Sequence, residues 1–220
     1  MSLPRPVRAV VFDMDGLLID SEVVYCEALT VAARDMGHDL PQAVLRQMIG
    51  HTWAGSAGVL VEHFGEDFDT QRLRDESVRI FYELAQAEIC LKAGVLELLD
   101  HLDELGLPRA ICTSSRRQDV DHHLGSHRLA ERFHAVLANG DYPRPKPHPD
   151  PYLKAAEALG VDPADCLALE DSHNGVRAAS AAGMMTIMVP DLLDPTEEMR
   201  SLCVRIARDL HEVRALLRGA

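Results

Sequence analysis

The chain has 220 residues, 47% of them hydrophobic, and carries 22 Lys+Arg against 35 Asp+Glu for a net charge of −13. That length allows one domain of ordinary size plus an insertion around a sizeable core. The acidic balance argues against nucleic acid or an anionic membrane as the main partner, yet leaves an anionic substrate open, because a metal and a few local cations invert the field of one pocket.

Five cysteines, at 26, 90, 112, 166 and 203, are odd in number and form no CxxC pair. They read as reduced thiols packed in a cytoplasmic protein. No apolar run approaches the roughly 18 residues of a membrane span, and the N-terminus does not read as a signal peptide. None of the 11 histidines forms an HExxH or a paired Cys/His array. His122 and His123 are adjacent, face different directions on a helix, and are expected at the surface.

Residues 7–12 are apolar and β-branched, the pattern of a buried parallel strand. Asp13 and Asp15 follow, two apart, so an extended backbone projects them together, and Gly16 then lets the chain turn. Two carboxylates aimed at one point repel, which invites a cation, a shared proton or a substrate between them, or else solvent. Ser21 reads as the N-cap of a helix over 22–36 that Gly37 ends. Residues 38–90 show no strand pattern. Helices are expected over 41–49, 57–64 and 70–87, with a glycine-flanked loop over 50–56. Residues 21–88 therefore read as an all-helical unit inserted behind the first strand, and 1–20 with 89–220 as the main α/β domain.

After Gly94 strands and helices alternate. Helices are expected over 95–105, from Arg116 onward, over 153–159, from Ser172 to Gly183 and over 210–217. Strands are expected over 108–112, 133–138, 166–169, 185–189 and 204–207. This rhythm implies a parallel sheet with helices on both faces, a Rossmann-like core. In such sheets ligands bind outside the carboxyl ends of the strands. Those ends carry Asp13 and Asp15, then Thr113 and Ser114, then 139–141, then Glu170 and Asp171. Asp13, Asp15, Glu170 and Asp171 form an oxygen-only set suited to Mg²⁺; taken alone, Glu170-Asp171 would also serve as a helix cap with its acidic neighbour. Thr113 and Ser114, ahead of a helix N-terminus, make an anion cradle or an ordinary cap. The proline-rich run 143–151 stiffens a loop that fixes Lys146, a point charge for carboxylates and phosphate. Its other reading is a polyproline ligand. Arg144 beside it reads as a solvated neighbour.

Four motifs stand in order: Asp13-Met14-Asp15-Gly16, Thr113-Ser114-Ser115, Lys146-Pro147-His148-Pro149-Asp150 and Glu170-Asp171-Ser172-His173-Asn174-Gly175. With a helical insert behind the first, the chain resembles the haloacid dehalogenase superfamily, and within it the helical-cap (C1) subfamily of β-phosphoglucomutase-like phosphatases. The resemblance implies Asp13 as nucleophile and Asp15 as general acid, then base. It implies Mg²⁺ held by Asp13, the Asp15 carbonyl, Asp171 and Glu170. Phosphate would be held by Asp13, Thr113, Lys146 and the backbone of Met14, Asp15 and Ser114. The helical unit would close over the site through hinges at 17–21 and 91–94 and read the leaving group, with Tyr25, His51, Thr52, Trp53 and Arg116 as candidates. The expected activity is hydrolysis of a small phosphorylated metabolite by a monomeric, cytoplasmic chain.

Three other readings compete with this one. Halide displacement needs no acid for its leaving group, so Asp15 argues against it. Mutases of this subfamily carry a His and an Arg where this chain has Tyr25 and Trp53, which favours hydrolysis. A non-enzymatic phospho-acceptor such as a receiver domain has no helical insert after its first strand.

Overall fold

The structure is a computed structural model that describes residues 3–49, 53–84 and 89–218. It divides into two compact units, Met1–Ile19 with Leu91–Ala220, and Asp20–Cys90.

The first unit is built on a six-stranded parallel sheet: β1 (Ala9–Phe12), β2 (Arg109–Arg116), β3 (Ala135–Asn139), β4 (Cys166–Glu170), β5 (Met185–Met188) and β6 (Arg205–Ile206). The spatial order is β3-β2-β1-β4-β5-β6, every pair parallel. The chain runs outward from β1 to β3, then returns to lay β4 on the other side of β1. The topological switch point therefore falls between β1 and β4, where a doubly wound sheet opens its ligand crevice.

β1 and β4 are buried at every position, as parallel strands covered on both faces require. On one face Ala9, Val11, Ala110, Cys112 and Ala168 pack against Tyr152, Ala155 and Ala156 of α7 (Asp150–Leu159) and Ala178 and Ala179 of α8 (His173–Ala181). The strand residues of that face are small, which lets the two helices approach closely. The alternate residues Val10, Phe12, Ile111, Leu167 and Leu169 are also fully buried, from the other face. There Phe12 meets Phe133 edge-on at 5.7 Å. The remaining helices of this unit are α5 (Val95–Glu104), α6 (Arg117–Ser126), α9 (Glu197–Leu202) and α10 (Leu210–Arg218).

The second unit holds α1 (Ser21–Asp35), α2 (Gln42–Met48), α3 (Trp53–Phe64) and α4 (Thr70–Leu84). Ala28, Leu29, Ala32 and Ala33 of α1 join Leu45, Leu60, Leu73 and Ile80 in one apolar core. Within the first unit, Ile19 bridges Leu91 antiparallel, and the Lys92 amide donates to the Leu18 carbonyl at 2.9 Å.

Four expectations are corrected. The stretch 53–56 is helix, not loop, because Trp53, Ser56 and Leu60 share one face toward the unit's core, and packing overrides the low propensity of Gly55; residues 50–52 lie outside the described residues. β2 continues to Arg116 rather than ending at Cys112. Its register with β3 shifts between Cys112 and Arg116, so the extra residues bulge while the strand persists. His123 is buried, not at the surface, since the inner face of α6 carries Val120, His123 and Leu124. Burial lowers its pKa, which favours the neutral ring. Ser21 is the first residue of α1, and the N-cap position is Asp20.

Candidate active site

The loops after β1, β2 and β4 and the proline-framed segment before α7 converge on one group of side chains. The Asp13 amide donates to the Leu169 carbonyl at 3.0 Å, continuing the β1–β4 ladder one residue past β1 and fixing Asp13 beside β4. Lys146 Nζ donates to Asp13 Oδ1 at 2.6 Å and to Glu170 Oε1 at 2.5 Å. All three residues are buried. Burial works against the lysine's charge, but Asp13 and Glu170 outweigh it and hold Lys146 well above its ordinary pKa. Burial pushes the Asp13 carboxyl up to about 7, against the pull of Lys146, and the charges of Glu170 and Asp15 add to the rise.

Both Glu170 oxygens are engaged. Oε1 also accepts from the Tyr152 hydroxyl at 2.5 Å, and Oε2 accepts from the Ser172 amide at 3.2 Å and hydroxyl at 3.0 Å. Ser172 is the N-cap of α8, its hydroxyl accepting from the Gly175 amide at 3.2 Å. Gly175 is glycine for space: a Cβ there would stand 1.8 Å from Glu170 Oε1. Gly16, at φ +80°, serves similarly, since a Cβ would stand 2.4 Å from Asp171 Oδ2.

Asp15 takes different partners. Its Oδ2 accepts from Ser115 Oγ at 2.7 Å and Thr113 Oγ1 at 3.1 Å, and the Thr113 hydroxyl in turn accepts from the Ser115 amide at 3.0 Å. Thr113 is itself held from the other side, because Tyr142 donates its hydroxyl to the Thr113 carbonyl at 2.9 Å. Two acids two residues apart thus occupy separate surroundings, one buried beside a lysine and one half-buried beside hydroxyls.

Asp13, Glu170 and Asp171 each bring a carboxylate oxygen within 4.8 Å of the others. The set is oxygen-only, and the backbone at Gly16 comes up against Asp171 where a side chain would intrude. Such donors fit a hard divalent cation.

Of the residues expected through their backbone amides, Met14 has a fully buried side chain and Ser114 an exposed one. Other expected residues are engaged differently. Arg116 is exposed and pairs with Asp119 at 2.8 Å, while Arg144 forks onto Asp150. Tyr25 and Trp53 pack against the core of the helical unit. The Tyr25 ring meets Phe81 at 6.2 Å and burial raises its hydroxyl to about 12; the Arg74 guanidinium lies 5.7 Å over Trp53. His51 and Thr52 lie outside the described residues. Sequence reasoning missed Ser115 as a partner of Asp15, and Tyr152. Ser115 carried a signal, since it stands two after Thr113 on a strand and shares its face. Tyr152 carried none beyond lying on the inner face of its helix.

A family model described as haloacid dehalogenase-like hydrolase matches residues 10–189. The chain belongs to that family. Hexitol phosphatase B of Escherichia coli K12 is 33% identical over 195 residues, 86% of each chain. The protein CbbY of Cupriavidus necator is 32% identical over 203 residues, 84% of this chain and 78% of that one. CbbY from Rhodobacter sphaeroides, solved in complex with phosphate, superposes with a TM-score of 0.79 at 25% identity, over 94% of this chain and 96% of that one. Within the haloacid dehalogenase-like hydrolases the chain is a phosphoric monoester hydrolase.

Proposed function

We propose that this chain hydrolyses a small phosphomonoester, such as a sugar, polyol or nucleotide phosphate, with Mg²⁺ as its cation and the phosphoryl group carried transiently on Asp13. The observation that carries this reading is the division of labour between the two acids. Asp13 is buried against Lys146, and Asp15 is held apart on Thr113 and Ser115.

In the first step an Asp13 carboxylate oxygen bonds to phosphorus. As the ester P–O bond breaks, Asp15 gives its proton to the departing alkoxide. In the second, Asp15, now a carboxylate, takes a proton from water as the water oxygen bonds to phosphorus and the Asp13–phosphorus bond breaks. Inorganic phosphate leaves and both acids return to their starting states. Lys146 offsets negative charge beside Asp13, while Thr113 and the amides of Met14, Asp15 and Ser114 hold the transferring oxygens. Asp13, Asp171 and the Asp15 carbonyl would hold Mg²⁺, which supplies positive charge to the phosphoryl oxygens. Glu170, with both oxygens already engaged, acts on that set by anchoring Lys146.

The helical unit is proposed to read the leaving group, through Tyr25, His51, Thr52 and Trp53, with Arg116 of the α/β unit as a further candidate. Hydrolysis is preferred to sugar-phosphate mutation because the positions that carry a His and an Arg in such mutases hold Tyr25 and Trp53. The chain is proposed to act as a cytoplasmic monomer; among the described residues no helix is long and apolar enough to cross a membrane. The test is phosphate release from 4-nitrophenyl phosphate with Mg²⁺, lost in Asp13→Asn and on chelation. Release that survives either change, or efficient interconversion of glucose 1- and 6-phosphates, refutes the proposal.

A further inference from the structure

We infer that Ser115 is a positioning residue for Asp15, holding its carboxyl in place through both proton transfers. This rests on the phosphatase reading above, in which Asp15 moves the protons. The Ser115 hydroxyl makes a shorter contact to Asp15 Oδ2 than the Thr113 hydroxyl does, 2.7 Å against 3.1 Å.

Its placement has a local cause. β2 runs past its register shift with β3, so Thr113 and Ser115 stand two apart on an extended backbone and point the same way. A serine just before a helix ordinarily caps it. Here the N-cap position of α6 is Arg116, which makes no side-chain cap bond, and the Ser115 hydroxyl crosses instead to the loop after β1.

The chemistry suits a hydroxyl. It donates to a carboxylate and, after rotating, accepts from a carboxylic acid, so one side chain holds Asp15 in either protonation state. Thr113 has a competing task, because in the proposed mechanism its hydroxyl faces a phosphoryl oxygen. When Thr113 turns to substrate, the Ser115 hydroxyl stays on Asp15.

Leaving-group chemistry separates this role from phosphate binding. 4-Nitrophenolate leaves with little help from an acid, whereas phenolate, with a conjugate-acid pKa of about 10, gains far more from one. The full chain with Mg²⁺ is assayed on 4-nitrophenyl phosphate and phenyl phosphate, and kcat/KM, which reports the first phosphoryl transfer, is compared. Ser115→Ala is expected to lower kcat/KM for phenyl phosphate roughly tenfold more than for 4-nitrophenyl phosphate, a modest share of the ~10²–10⁴ that general acid catalysis supplies. Ser115→Thr, which keeps the hydroxyl, is expected to restore the wild-type ratio. In an Asp15→Asn background Ser115→Ala is expected to cause no further loss.

Equal losses on both esters, no loss on either, no rescue by threonine, or an undiminished loss in the Asp15→Asn background each overturn the role of Ser115. A wild-type chain that releases phosphate from neither ester overturns the phosphatase reading itself, which keeps the two failures distinct.

Discussion

Lys146→Met tests whether the site is as desolvated as its geometry implies. Methionine keeps most of the lysine stem, and with it the packing beside the Tyr152 ring, 5.3 Å from Nζ, and removes the charge with its two hydrogen bonds. The Lys146 side chain is 5% exposed, and its two partners are 9% and 0% exposed. Deleting one member of a buried ion pair costs about 3–5 kcal/mol when the remaining charge has nowhere to go. Here two carboxylates are left, and they are not equivalent. Glu170 keeps the Tyr152 hydroxyl and both donors of Ser172. Asp13 loses the lysine that opposes its rise, so it is the group that retains a proton.

A carboxyl whose folded pKa lies above its unfolded value binds more protons folded than unfolded. Its contribution to stability is full at low pH and falls as pH rises through the folded pKa. In the wild type that fall ends near pH 7, where the Asp13 carboxyl titrates. In Lys146→Met it continues above pH 7. The stability gap between the two should therefore widen above pH 7, by up to about 1.4 kcal/mol per pH unit for one retained proton. Urea unfolding of both chains from pH 6 to 8.5, without divalent cation, measures it. A gap that stays constant with pH, or never exceeds about 1 kcal/mol, would show that water reaches these carboxylates and would refute the desolvation reasoning.

Further outcomes follow from the same contacts. Tyr152→Phe removes one of the donors on Glu170 and should cost about 1–3 kcal/mol, read as a lower urea midpoint with an unchanged slope. Gly175→Ala drives a Cβ into a Glu170 carboxylate that its hydrogen bonds prevent from swinging away. A loss of about 1–3 kcal/mol, a few degrees in Tm for a chain of this size, is expected by calorimetry. In the proposed site Mg²⁺ displaces the proton from Asp13, so calorimetric titrations at pH 6 in buffers of different ionisation heat should reveal proton release that fades by pH 8.5. Glu212 is held down to about 2, chiefly by Arg205 and then by the Arg208 amide, from an ordinary value of 4.5. Its contribution to stability is full above pH 4.5 and lost as pH falls toward 2. Glu212→Gln should be less stable than wild type at pH 6, with the difference shrinking as the solution is acidified.

Much of the architecture was legible because apolar runs that end in acids or hydroxyls mark the carboxyl ends of parallel strands. β1 and β4 both read this way. Ser172 announced a helix start by its hydrogen-bonding chemistry, and it caps α8. Three of the misreadings share a cause, the dominance of packing over local preference. Trp53 begins a helix despite Gly55 because its face is buried. The polar run Thr113–Arg116 stays extended because β3 pairs again at Arg116. His123 is inside because its helix turns it there. Tyr152 was opaque because its hydroxyl meets Glu170 only once α7 is laid across the sheet, a relation with no trace in local sequence.

Asp13 and Asp15 face nearly the same local sequence, yet the fold makes them different reagents. The difference arises at the end of β1. Asp13 still pairs its backbone with β4, which commits its side chain to the buried interval where Lys146 reaches in from the segment before α7. Asp15 is past the last strand bond, beside the left-handed turn at Gly16, and its carboxylate crosses to the hydroxyls of β2 instead. One residue of ladder therefore separates a carboxylate held against a fixed cation from one held by rotatable hydroxyls. A fixed positive charge suits a group that, in the proposed mechanism, must stay in place while it bonds to phosphorus. Hydroxyls that can donate or accept suit a group that must lose and regain a proton without moving. Exchanging the two environments would spoil both functions, and for that reason the spacing of the acids matters less than where β1 stops.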